Sequence, residues 1–378
     1  MEYKKLGDIA TYINGYAFKP EQRGSEGLPI IRIQDLTGNA YDLGYYNEDY
    51  PKKIELNDGD VLISWSASLG VYLWNRGKAL LNQHIFKVVF DKVEIDKLYF
   101  MYAVEYSLDK MSLKTHGATM KHITKKDFDN VVIPYPDLDY QKETSYRLTS
   151  LKGIIEKYQE QLDLLDELIK ARFVEMFGDI GMGLLNYQTC KLGDVAKVGS
   201  SHRVFTTEFV ESGIPFYRGT EIGELANGIK PINPYYISEE HYKRLVDDGT
   251  KPLIGDLLMP SICNKGQVWM VDSEEPFYYK DGRVLCISPD KEVFNSRFLQ
   301  YFMREKTLVE YPKMGSGSTF AEFKIFLLKD MDVLVPPLEL QNQFASFVEE
   351  IDKSRSRIQK SLEASQELFD SLMQEYFG

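Results

Sequence analysis

The sequence predicts an α+β protein built twice over. Two similar globular domains are each followed by a long helix, and the two helices pair as a coiled coil; if they run antiparallel, the domains are related by an approximate two-fold axis. Three observations predict this: an in-order internal repeat, two long proline-free heptad segments, and short apolar runs broken by Asn- and Gly-bearing turns. At 378 residues the chain exceeds one comfortable hydrophobic core, so two or more domains are expected. The expected boundaries are 1–140, 141–178, 179–340 and 341–378.

The repeat opens with Lys5-Leu6-Gly7-Asp8-Ile9-Ala10, which returns as Lys191-Leu192-Gly193-Asp194-Val195-Ala196. Gly27 to Arg32 then returns as Gly213 to Arg218 at the same offset. After extra residues in the second half, Gly59-Asp60-Val61-Leu62 meets Gly255-Asp256-Leu257-Leu258, and Gly70 meets Gly266. Gly117 and Thr119 match Gly317 and Thr319, and the register holds through Pro136, Leu138 and Gln141 (Pro336, Leu338, Gln341) to the dipeptides Phe177-Gly178 and Phe377-Gly378. A chain of matches in one order, closing on the same dipeptide, is a duplication. Its period is a whole domain plus a helix, far beyond a solenoid repeat.

Residues 141–177 contain no Pro and one Gly, Gly153. Leu148, Leu151, Ile155, Tyr158, Leu162, Leu165 and Ile169 recur by threes and fours, the spacing of a heptad seam. The second copy, 341–377, carries Phe344, Val348, Ile351, Ile358, Leu362 and Phe369, with Arg355 and Ser365 interrupting the stripe. Each helix would be about 55 Å long at the α-helical rise. An apolar stripe of that length requires a partner, and the simplest one is the other helix of the same chain.

Within the globular halves, residues 28–33, 60–64, 85–90 and 131–133 read as strands, and 97–105 and 296–304 as helices. Turns such as Thr37-Gly38-Asn39 and Asn57-Asp58-Gly59 separate them.

Several function classes are excluded by what the chain lacks. It has no GxxxxGK[ST] loop, no GxGxxG after a strand and no GxSxG elbow. Asn233-Pro234-Tyr235-Tyr236 lacks the second Pro of the amino-methyltransferase loop, and Met314 to Thr319 is Gly- and Ser-rich without being a Walker loop. The five histidines show no ligand spacing, and Cys190, Cys263 and Cys286 form no CxxC pair, so no metal is expected. Thiols in this number and spacing suit a reduced cytoplasmic compartment. No run reaches eighteen apolar residues, and neither a membrane span nor a secretion signal is expected.

Net charge is −12, and none of the four segments is basic overall, so a nucleic-acid partner would be held by local patches. One patch stands out. Lys110, Lys114, Lys121, Lys125 and Lys126, with His116 and His122, occupy a window without an acid, suited to phosphates. Arg32, Arg76 and Lys78 are further first-half candidates, and Asn82-Gln83-His84 offers three side chains able to read base edges. In the second half the window keeps only Lys313 and Lys324, with Glu310 and Glu322 intruding. Arg203, Arg218, Lys265, Gln267, Lys280 and Arg283 are the candidates there. Framework residues match between halves while candidate contact residues differ, the pattern expected of two modules reading different sequences.

Taken in order and twice over, these residues resemble the specificity subunit of type I restriction-modification systems, across the full length. The carrying features are Lys5-Leu6-Gly7-Asp8, Gly27 to Arg32, Gly59-Asp60-x-Leu62, Asn82-Gln83-His84, Gly117-Ala118-Thr119, and Ile133-Pro134-x-Pro136-x-Leu138-x-x-Gln141 with its counterpart Val335 to Gln341. The resemblance implies that each half is a target recognition domain reading half of a bipartite, asymmetric site in double-stranded DNA. It implies that the helices form an antiparallel pair that sets the spacing and docks modification subunits, two of them expected. It further implies that S-adenosylmethionine and ATP act on partner methyltransferase and restriction subunits, so this chain is no enzyme. A coiled-coil scaffold that binds only proteins is the competing reading.

Overall fold

Leu6, Ile9 and Ala10 of the first repeated motif are fully buried, and so is Leu192 of the second: the duplication begins as a packing unit. The structure, a computed structural model, describes all residues except 1, 39–43, 67, 115–123, 248 and 315–320, and omits the side chains of 112–114.

Both halves assemble their strands alike. A four-stranded antiparallel sheet in the first half runs in the order Thr11–Asn14, Ile85–Val89, Val61–Ser64, Gly70–Leu73. The second half repeats it as Ala196–Gly199, Val284–Pro289, Leu257–Pro260, Trp269–Met270. Val61–Ser64 and Leu257–Pro260 are buried at every residue, which is why they read as continuous rather than alternating apolar runs. A second sheet holds a parallel pair in each half: Leu28–Ile31 beside Ala79–Leu81, and Ile214–Tyr217 beside Tyr278–Tyr279. The motifs Lys5-Leu6 and Lys191-Leu192 follow edge strands that pair with Val132–Pro134 and Asp332–Leu334. The extra residues of the second half include the helix Glu239–Val246, capped where the Ser238 hydroxyl accepts from the His241 N–H.

Several boundaries differ from expectation. The strand expected over 28–33 ends at Ile31, and one helical turn, Ile33–Leu36, follows, because the Asp35 carboxylate accepts the Arg32 backbone N–H at 2.8 Å. The helices Lys97–Lys114 and Ser296–Glu310 outrun the expected 97–105 and 296–304. Leu108 and Thr307 keep their inner faces buried in the added turns. The long helices are Leu138–Phe177 and Leu338–Phe377, beginning three residues early; each has 40 residues and spans about 60 Å.

The chain divides into two compact units, Met1–Glu160 with Ile358–Gly378, and Gln161–Arg357. Each unit therefore takes one part of each long helix. In the first, Leu148 packs with Met373, Tyr376 and Phe377, and Phe369 lies against the ring of Tyr102. In the second, Ile169, Phe173 and Phe177 pack with Phe344 and Val348. The beginning of one helix meets the end of the other in both units, so the pairing is antiparallel. Of the expected seam, Leu151, Ile155 and Ile169 are buried, while Tyr158, Leu162, Leu165, Ile351, Ile358, Leu362 and Phe369 are partly buried. Each fully buried side chain of this kind stabilises by roughly 1.5–3 kcal/mol. Arg355 does not simply interrupt the stripe: its guanidinium reaches Asp166 of the first helix at 2.6 Å.

The repeated Gln has a structural task. Gln141 and Gln341 are almost wholly buried. The Gln341 amide oxygen accepts from the Asn295 N–H at 2.9 Å, and its amide nitrogen donates to the Val293 and Pro336 carbonyls. Gln141 accepts from the Asp96 N–H and donates to the Pro136 carbonyl. Each therefore ties the foot of a long helix to the start of the shorter helix beside it.

Candidate nucleic-acid interface

Parallel strands deliver two chain segments side by side at one end of a sheet, and here both halves use that end in the same way. Arg32 follows the first parallel strand, and Asn82 follows the second, its N–H donating to the Ile31 carbonyl at 3.1 Å. In the second half Arg218 and Lys280 hold the corresponding places, and the Lys280 N–H donates to the Tyr217 carbonyl at 2.9 Å. Both arginines are held by a carboxylate three residues on. Arg32 pairs with Asp35 (Nε to Oδ2, 3.1 Å), and Arg218 with Glu221 (Nη2 to Oε1, 2.6 Å). The pattern Arg-x-x-Asp/Glu was present in the duplicated sequence and would have pointed to Asp35 and Glu221, which the motif reading missed.

In the first half, Arg76 joins this corner: its guanidinium donates to the Asp35 carbonyl at 3.0 Å and lies 5.6 Å from the Trp74 ring. Asn82 and His84 flank the exposed Gln83. His84 has φ +73°, a left-handed conformation costly for a side chain of this size, and its ring stands edge-on to Trp65 at 5.0 Å. The Asn82 Oδ1 and His84 Nδ1 atoms are buried with no hydrogen-bond partner among the described residues. The turn is tightly seated, since a Cβ at Gly15 would lie 2.0 Å from the Asn82 carbonyl oxygen. Lys78 is elsewhere, on Glu55 at 3.3 Å. Hydrogen bonding from Tyr50 first, and then Lys78, holds the Glu55 carboxyl down to about 2. Lys125 and Lys126 are exposed on a separate short helix, Lys125–Asp129, capped by Thr124. Lys121 and the Lys114 side chain lie outside the described residues.

In the second half the corner forms a cleft. Arg218, Gln267, Lys280 and Arg283 line one cleft of about 390 Å³ together with Thr220 and Ser261. Lys265 adjoins it through its N–H, which donates to the Gln267 amide oxygen at 3.0 Å. Arg203 is tethered to Asp281 of the Lys280–Arg283 turn at 3.3 Å, and Arg283 pairs with Glu322 at 2.7 Å. The six second-half candidates thus converge on one corner. Three of its cations are partly neutralised by carboxylates that also orient them.

Among the described residues no His, Cys, Asp and Glu cluster could hold a metal ion, and no helix is long and apolar enough to cross a membrane. Cys263 and Cys286 are buried free thiols, pushed up by burial to about 11 and about 12.

A module built twice, with a constant frame and a differing polar corner in each copy, defines a duplicated protein with paired long helices. The chain belongs to the family of the type I restriction modification DNA specificity domain, whose model matches residues 1–165 and 185–366. It is similar to the type I restriction enzyme MjaVIII specificity subunit of Methanocaldococcus jannaschii, at 23% identity over 95% of this chain and 89% of that one. Among solved structures it is similar in fold to the type I restriction-modification S subunit from M. genitalium, with TM-score 0.59 and 14% identity, covering 100% of this chain and 96% of the other. A second, described for complex assembly and conformational transition of the type I R-M system, matches at TM-score 0.54 and 16% identity, covering 99% and 97%.

Proposed function

We propose that the chain is the DNA sequence-specificity subunit of a type I restriction-modification complex. Each half reads one half of a bipartite, asymmetric site, and the long helices fix the spacing and dock the modification subunits. The observation that carries this reading is the pair of equivalent corners, alike in frame and different in side chains, in a chain of the specificity family. A scaffold that binds only proteins gives no reason for that divergence. On this reading, which family membership supports, the chain is a non-catalytic subunit. Methyl transfer, with S-adenosylmethionine, and translocation and cleavage, with ATP, belong to partner subunits: two methyltransferase copies, and restriction subunits where present, working on cytoplasmic DNA.

Two half-site readers joined in one chain bind bivalently, so the second contact is made at high effective concentration. Arginines and lysines anchor phosphates, and polar side chains read base edges in the major groove.

The test is methylation-sensitive sequencing of cells carrying this subunit with its partner subunits. One interrupted, asymmetric methylated motif is expected, lost when this chain is deleted. Purified alone with DNA and S-adenosylmethionine, the chain should transfer no methyl groups. A seven-residue insertion or deletion within Leu151–Ile169 should alter the accepted spacer and leave both half-sites unchanged; an unchanged spacer refutes the ruler role.

A further inference from the structure

Resting on that reading, we infer that the second-half cleft is a phosphate site that seats one backbone phosphate of the DNA duplex. The first half carries bulky apolar side chains at two equivalent positions. Arg32 is followed by Ile33, which packs in the first-half core, whereas Arg218 is followed by Gly219, where a Cβ would lie only 3.1 Å from the Pro260 Cβ. The Trp65 N–H donates to the His84 carbonyl; Ser261 makes the corresponding bond to Arg283, and so stands where the first half holds an indole. Gly219 and Ser261 both line the cleft.

Ser261 is the observation that points to a ligand. It is only 2% exposed, it lines the cleft, and its hydroxyl has no hydrogen-bond partner among the described residues. Main-chain bonds hold it in place: its N–H donates to Arg283 at 2.8 Å, and its carbonyl accepts from Phe323 at 2.7 Å. Gly219 and Thr220 open the helix Gly219–Ala226, so their N–H groups have no acceptor within it and put partial positive charge at the cleft wall. Glu221 takes the Nε and Nη2 edge of Arg218, leaving Nη1 without a partner among the described residues. The Tyr235 ring, 4.7 Å from that guanidinium, packs against it. The Lys280 ammonium pairs with no carboxylate among the described residues, while Arg283 pairs with Glu322.

Each of these groups can donate, and the three cations against two carboxylates, Glu221 and Glu322, leave one positive charge in excess. A phosphodiester is the complement, with one negative charge and oxygens that only accept. Guanine O6 and N7 also only accept, but they form a neutral edge lying in one plane. The donors here arrive from a helix start, a strand end and a turn, and a helix start favours an anion. The cleft thus adds affinity and register to the second half without choosing a base.

The complex with partner methyltransferase subunits is assembled with wild-type chain, Ser261→Ala or Lys280→Gln, and its binding to a duplex bearing the methylated motif is followed across a salt series. Ser261→Ala is expected to weaken binding about tenfold at an unchanged salt slope, since a hydrogen bond to a charged group is lost and no charge is. Its melting midpoint should not fall, because the hydroxyl has no partner to lose in the free protein. Lys280→Gln should reduce the slope by about 0.9. Both variants should keep the methylated motif. With a neutral methylphosphonate walked along the DNA backbone, the penalty at one position should shrink in Ser261→Ala. Lost preference for a base in either variant identifies a base edge and overturns the phosphate assignment. A midpoint raised by inorganic phosphate and not in Ser261→Ala, with every methylphosphonate penalty unchanged, assigns the cleft to a free oxyanion and overturns the DNA source. Unaltered binding and slope in both variants overturn the site. A wild-type complex without sequence preference overturns the specificity reading, and the methylphosphonate walk then still judges the cleft.

Discussion

Replacing Gln341 by Leu removes three hydrogen bonds from a fully buried site while nearly preserving volume, so the polar contribution can be read in isolation. The half-buried Asn295 N–H is left unsatisfied, costing about 1–3 kcal/mol, and each deprived carbonyl adds roughly 0.5–1.5 kcal/mol. Partial compensation from the buried Leu brings the expected loss to about 2–4 kcal/mol. Gln141→Leu removes two such bonds and should cost about 1 kcal/mol less. A unit the size of Gln161–Arg357 shifts its midpoint by roughly 2–4 °C per kcal/mol, so Gln341→Leu should lower it by about 4–16 °C. Calorimetry, with urea melts as a second probe, measures both variants. Gln341→Glu retains the acceptor but buries a charge, and should be more damaging at pH 7 than at pH 5. A Gln341→Leu midpoint within a degree of wild type, or a larger loss from Gln141→Leu, refutes the account of this residue as the tie between the two helix starts.

Three further outcomes follow from the same structure. Changing Lys121, Lys125 and Lys126 to Ala should weaken DNA binding and reduce the slope of log affinity against log salt by about 0.9 per lost phosphate contact; an unaltered slope excludes them as contacts. Burial raises the Glu305 carboxyl, with Lys170 opposing, so the folded state holds its proton more tightly than the unfolded chain. Stability from this group is present below the unfolded value near 4.3 and falls as pH rises through the folded one. Glu305→Gln should therefore stabilise more at pH 8 than at pH 4, and a pH-independent gain in urea melts contradicts the burial argument. Cys263 and Cys286, their thiols at about 11 and about 12, should resist alkylation at pH 8 until the protein is denatured; rapid labelling in the native state would contradict their burial.

Much of this architecture was legible because duplication tests a pattern twice. The heptad stripe identified both long helices, since a 3.6-residue period cannot lie flat as a strand and no proline interrupts it. That the helices pair followed from the need to cover that stripe; their antiparallel sense came only with the family resemblance. Helix starts were misplaced by three residues because Leu138 and Leu338 follow prolines that read equally well as strand ends. Arg355 looked like a break because a sequence shows charge but not the partner; Asp166 lies on the other helix and nothing local announces it. The corner residues were legible unequally. In the second half all six candidates converged, since the cations there stand on one turn and the strand ends around it. In the first half Lys78, Lys125 and Lys126 scattered, because a run of basic residues fixes composition and not direction.

The arginines show most clearly how one chain separates constancy from variation. Arg32 and Arg218 both engage a carboxylate three residues on, through backbone N–H and guanidinium together, so each side chain also closes the first turn of a helix. Losing either would disturb fold and site at once, which confines change to neighbours without that double duty. The turns beginning at Asn82 and Lys280 are such neighbours. Their backbone N–H groups keep the frame whatever the side chain, because a main-chain donor is present in every residue but proline. A different side chain there leaves the frame of the turn in place. Two copies of one domain can therefore carry different side chains at this corner while the hydrogen bond that seats the turn stays the same in both.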